Sequence, residues 1–118
     1  MVNVLSLTNG RFRNFVGTLT TSTTGVELVA TTTTAQVIKV SGVLLANAST
    51  ALLSTASLTL VSGGVTHTLA SGVDVDPSQV PVRVVSKETP VYLTGTQSIR
   101  AFASGSNVSA VVSYEEFS

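Results

Sequence analysis

The chain contains no cysteine and no tryptophan. Without thiols there is no disulfide framework, no thiol nucleophile and no cysteine-ligated zinc, so packing alone must hold the core. Charge is scarce too. Charged residues make up 10% of the chain, against a usual share of about 25%. Six Lys and Arg balance six Asp and Glu to a net charge of +0. No basic run is present to release counterions from phosphates, which argues against nucleic acid as a partner. Aromatic residues, at 5%, are too few for a base- or sugar-stacking platform, and Tyr92 and Tyr114 both fall in predicted strands. No apolar run approaches the ~18 residues of a membrane-crossing helix, so no membrane partner is expected. The opening residues, MVNVLSLTNGRFR, put their arginines after the short apolar run and do not read as a secretory signal. The expectation is synthesis in a cytoplasm.

Valine, threonine and serine fill the space. At 118 residues the chain is one domain by size and long enough to bury roughly two-thirds of its unfolded surface. Val and Thr are stiff at χ1 and suit a pleated sheet better than a helix. The fold class is therefore all-β. A mean hydropathy of +0.47 with so little charge protects a monomer poorly against association and favours a subunit whose surface other subunits cover.

Residues 1–14 read as an N-terminal arm and 15–118 as the sandwich domain. In the arm, Asn9-Gly10 is a turn signal. Leu5, Leu7, Arg11, Phe12, Arg13 and Phe15 are the candidate subunit contacts, the apolar side chains docking and the arginines orienting. Strands are predicted over 15–21 and 26–31, joined by Ser22-Thr23-Thr24-Gly25, and over 35–46, where Ile38, Val40, Gly42 and Leu44 share one parity. Residues 51–57 read as loop. Over 56–70 the two-residue turn Gly63-Gly64 closes a hairpin, pairing Ser62 with Val65, Leu60 with His67 and Leu58 with Leu69. Residues 72–79 read as loop and 80–86 as a strand that Pro81 places at an edge or leaves unpaired at its start. Three more strands follow, 91–93, 98–104 and 108–115, the last with Val108, Ala110, Val112 and Tyr114 on one face. About eight strands at this spacing predict an antiparallel β-sandwich or jelly-roll-like barrel.

Chemistry is sparse. His67 is the one histidine, and a Ser-His-Asp triad with Asp74 or Asp76 lacks any recognisable nucleophile setting. Asp74-Val75-Asp76 puts two carboxylates on one side of an extended segment, too few oxygens for a hard cation. No enzyme activity, cofactor or metal is expected. Glu115-Glu116 reads as a polar edge that blunts strand addition. Asn47-Ala48-Ser49 and Asn107-Val108-Ser109 match the glycosylation pattern but have no secretory context.

The segment QVIKVSGVLLAN, then SLTLVSGG, then PVYLTGTQSIRAFASGSNVSAVVSYEEF resembles small structural proteins encoded by tailed bacteriophages. In these an apolar strand ends in Asn, a glycine turn precedes a strand of the type S-I/L-R, and the chain closes on S-Y-x-E. The matching positions are Asn47, Leu93, Gly95, Ser98, Ile99, Arg100 and Ser113-Tyr114-Glu115-Glu116, within residues 36–117. An acidic residue often follows the turn glycine in such proteins; here Thr96-Gln97 stands. The resemblance implies a β-sandwich virion component present in many copies, made in the host cytoplasm and partnered by itself and by other virion proteins. A tail or neck subunit is the first expectation. A capsid decoration (cement) protein is the second, and a receptor- or carbohydrate-binding sandwich module is the rival of a different class.

Overall fold

The computed structural model describes residues 10–31, 36–49, 53–77 and 81–117. They form nine strands, β1 (Gly10–Thr18), β2 (Val26–Ala30), β3 (Val37–Asn47), β4 (Ser54–Ser62), β5 (Val65–Val75), β6 (Val82–Val85), β7 (Val91–Thr94), β8 (Gln97–Ala103) and β9 (Val108–Phe117). There is no helix among the described residues. Sheet A runs β1-β9-β3-β6, with β7 also on β3, and sheet B runs β2-β8-β4-β5. Both are antiparallel throughout.

The pairs nest. β4 pairs β5, β3 pairs β6 and β7, β2 pairs β8, and β1 pairs β9. This is a long hairpin wound over a core, the connectivity of a jelly roll. β6 and β7 act as one interrupted strand: β6 lies against Val43 to Leu45 and β7 against Val37 to Val40 of the same neighbour. Residues 19 and 20 stitch the sheets together. The Leu19 N–H donates to Val108 O at 2.8 Å, and the Ala103 N–H to Thr20 O at 2.9 Å.

The core is aliphatic. Ile38, Val40, Val43, Leu45, Val108, Ala110 and Val112 come from sheet A, and Ala56, Leu58, Ile99, Ala101 and Ala103 from sheet B. Alternation along β9 puts Val108, Ala110 and Val112 inward as the sequence predicts, with Tyr114 packed at the margin. The parity predicted for β3 holds only as far as Val40. Its register against β9 shifts between Val40 and Gly42, where the Ser41 hydroxyl turns to the Ser113 carbonyl at 3.2 Å. The bulge moves Val43 and Leu45 inward and Leu44 outward.

The Gly63-Gly64 turn forms as predicted, with φ of 58° and 80°, the doubly positive pair that a type I′ hairpin requires. Ser62 faces Val65 and Leu60 faces His67. Beyond that the register slips: Thr59 faces Thr68, Leu58 faces Ala70, and Leu69 has no partner opposite it. Leu58 is buried while Leu69 and Val65 are exposed. Val65 and Leu69 therefore do not join Leu58 in the core; they lie on β5, an edge strand paired only with β4. Two predicted loops are shorter than expected: β4 begins at Ser54 and β5 continues to Val75.

From Gly10 onward the predicted arm is strand. Arg11, Phe12 and Arg13 lie in β1, paired along β9 opposite Glu116, Glu115 and Tyr114. Leu5, Leu7 and Asn9 lie outside the described residues. β9 is an inner strand between β1 and β3, so Glu115-Glu116 does not blunt an edge. Glu116 instead bonds Arg13 Nε at 3.0 Å.

Candidate functional site

The candidate chemistry of the sequence is dispersed by the fold. His67 is exposed on β5. Asp74 lies on the same strand seven positions further, about 20 Å away at the usual strand rise, so no triad joins them. Asp74 and Asp76 do share one side, as the sequence suggests, and line a shallow hollow with Leu53, Thr55 and Ser104. Among the described residues no group of three or more His, Asp or Glu side chains is placed to hold a metal.

The two asparagines of the glycosylation pattern are brought together. Asn107 Nδ2 donates to Asn47 Oδ1 at 2.7 Å, and Asn47 Nδ2 donates to Val75 O at 2.8 Å. The Ser54 hydroxyl donates to Asn107 Oδ1 at 3.0 Å, and the Ser49 N–H to Asn47 Oδ1 at 2.8 Å. These bonds tie the ends of β3 and β5 to the starts of β4 and β9. At the opposite end Gln97 has the corresponding place. Its side chain accepts from the Thr94 N–H at 2.9 Å and donates to Ser62 at 3.1 Å, while its own N–H donates to the Thr31 hydroxyl at 3.0 Å. That hydroxyl in turn bonds the Gly95 carbonyl. Gln97, two residues after the turn glycine Gly95, is thus a neutral clamp that uses both halves of its amide.

Arg100 fixes the link between β1 and β2. Its Nε donates to Thr24 O at 2.8 Å and its Nη2 to Gly25 O at 3.0 Å, with Glu27 alongside at 3.6 Å. Gly25 has φ +76°, and a Cβ there would stand 2.8 Å from the Ala101 carbonyl. The pattern S-I-R therefore sorts by role: Ile99 fills the core and Arg100 holds the opposite side of β8.

Large apolar side chains are exposed on the outer face of sheet A: Phe12 at 85%, Val16 at 69% and Tyr92 at 49%. All three have outward parity. Phe12 faces Glu115, Lys39 faces both Glu115 and Tyr92, and Val16 and Leu44 both face Val111. Phe12 and Tyr92 are three strands apart, about 14 Å at the inter-strand spacing, too far for one sugar ring to stack on both. On the same face Ser41, Gly42, Leu44, Val111, Arg83 and Lys87 border a second hollow. Of the predicted contact residues, Phe12 lies on this open face, whereas Phe15 packs against the core. Sequence reading missed Val16, Tyr92 and Arg83 as surface features, because their exposure follows from sheet order.

Comparison with protein-family models, with curated proteins and with solved structures finds no match.

Proposed function

We propose that this chain is a multicopy structural subunit of a tailed-phage virion, placed at the tail or neck, with no catalytic role of its own. The strand and turn pattern over residues 36–117 supports the phage assignment. The jelly-roll connectivity is compatible with it but is shared with lectins and cupins, and a fold does not carry a function. The observation that carries the assembly reading is the open outer face of sheet A. Phe12, Val16 and Tyr92 stand exposed there on a chain with only 10% charged residues. Isolated exposed hydrophobics are ordinary; here Val16 and Leu44 flank Val111, while Phe12 and Tyr92 flank the Glu115–Lys39 pair on the same face, which supports reading that face as a contact surface.

Sedimentation velocity over a wide concentration range tests this reading. The wild-type chain is expected to associate. The double variant Phe12→Ser, Val16→Ser is expected to associate markedly less with its fold intact, since each side chain covered in a contact contributes about 2 kcal/mol. A wild-type chain that stays monomeric at high concentration contradicts the reading.

A further inference from the structure

We propose that copies of this chain stack head to tail, the outer face of sheet A on one copy against the outer face of sheet B on the next, with Arg83 and Lys87 meeting Asp74 and Asp76. The inference rests on the reading of the chain as an assembly subunit and adds its geometry.

All six cationic and six acidic side chains lie among the described residues, so their distribution is complete. Arg13 pairs with Glu116 and Arg100 with Glu27. Lys39 stands opposite Glu115 in the β3–β9 register, so those charges offset each other within one face. Arg11 lies in β1 opposite Glu116, and Glu88 sits beside Lys87 in the turn after β6. Of the rest, two groups border hollows with no opposite charge in the wall. Arg83 and Lys87 border the hollow around Gly42, Leu44 and Val111, and no carboxylate lines it; Glu88, beside Lys87 in the turn, is not part of its wall. Asp74 and Asp76 border the hollow beside Leu53 and Thr55, and no cation lines that one.

Strand parity puts the two groups on opposite sides of the molecule. Leu44 and Val111 alternate with the buried Val43, Leu45, Ala110 and Val112, and Arg83 faces Leu44. The basic hollow is therefore on the outside of sheet A. Asp74 faces Thr55, which alternates with buried Ser54 and Ala56, so the acidic hollow is on the outside of sheet B. Each copy thus presents a positive site on one broad face and a negative site on the other. Matching like faces would bring like charges together, which is costly, whereas matching unlike faces is complementary. Such a contact is heterologous and repeats, closing a ring or continuing as a filament.

Apolar surface accompanies both charges. Leu53 is 74% exposed beside the aspartates, and Val16 is 69% exposed on the basic face. A four-strand face with strands of nine residues, the length of β1, measures roughly 19 by 30 Å at standard spacings. Covering it on both partners buries on the order of 1,100 Å², enough for a specific contact.

Charge reversal with mixing tests the geometry. The variants are Arg83→Glu with Lys87→Glu, and Asp74→Lys with Asp76→Lys, each followed by sedimentation velocity at low salt and checked for fold by circular dichroism. Each variant alone is expected to associate about tenfold or more weakly than wild type, and an equimolar mixture is expected to recover association, because each reversed face then meets its complement. If a reversed chain does not fold, the amide and glutamine versions (D74N/D76N and R83Q/K87Q) replace it, with weakened association expected from each. Variants that associate like wild type, or a mixture of reversed chains that stays dissociated, overturn the stacking while leaving the assembly reading in place. A wild-type chain that never associates overturns both.

Discussion

The side-chain amide of Asn107 donates to that of Asn47 at 2.7 Å, and this one bond joins the turn before β9 to the last residue of β3. Around it Ser54, Ser49 and Val75 complete a network that fastens one end of both sheets. A charge-poor chain with no disulfides holds its sandwich ends with neutral amides. Among residues that are not exposed, no buried side-chain nitrogen or oxygen lacks a partner among the described residues.

Asn107→Ala should therefore destabilise the fold by about 1–3 kcal/mol, because buried Ser54 loses its acceptor and Asn47 loses a donor. Asn107→Asp should cost more than Asn107→Ala. It removes the N–H donor and sets a carboxylate oxygen against Asn47 Oδ1. Urea denaturation followed by circular dichroism measures both midpoints, and equal stability of all three chains would refute the network.

Arg100→Lys should cost about 1–2 kcal/mol, since one ammonium cannot reproduce the fork that reaches Thr24 O and Gly25 O together. Glu27→Ala should cost at most about 0.5 kcal/mol, the worth of a solvent-screened pair. Amide hydrogen exchange at residues 22–25 should quicken in the Arg100 variant and stay unchanged in the Glu27 variant.

Gly25→Ala should be far more damaging than a change at Gly64. It combines φ +76° with a Cβ placed 2.8 Å from backbone at Ala101. At Gly64 the φ is +80° but no atom lies within 4 Å of a Cβ, so Gly64→Asn should change stability by no more than about 1 kcal/mol. Thermal unfolding of the two variants should separate them clearly.

His67→Ala should leave stability within about 0.5 kcal/mol of wild type, as expected for an exposed side chain away from special features, and should leave association unchanged. Loss of a hydrolytic activity on this change, with the fold retained, would contradict the proposal of a non-enzymatic role.

Much of the architecture was legible because Val, Thr and aliphatic alternation signal strands directly, and because Gly63-Gly64 and the turn around Asn107 punctuate them. The inward face of β9 follows from period two, and the pairing of Leu60 with His67 from the two-residue Gly63-Gly64 turn. Bulges were not legible. At Ser41-Gly42 the inward parity of β3 changes, and at Leu69 the hairpin slips by a residue; neither leaves a mark that alternation can detect. Leu58→Ala and Leu69→Ala therefore make a sharp pair. The first should cost about 2–5 kcal/mol, as for a buried leucine, and the second far less, although the sequence pairs them as equals. The surface candidates were legible only in part. Phe12 was marked by its aromatic character, but the exposure of Tyr92 and the opposed charges of Arg83 and Asp74 depend on which strands neighbour one another.

The proposed virion role is tested most directly by a cryo-electron microscopy reconstruction of purified tailed-phage particles from a genome that carries this sequence. Repeated copies of this two-sheet sandwich are expected at the tail or neck, with the outer face of sheet A covered by a neighbour. Particles that lack the chain altogether, or that hold it with Phe12, Val16 and Tyr92 open to solvent, would contradict it.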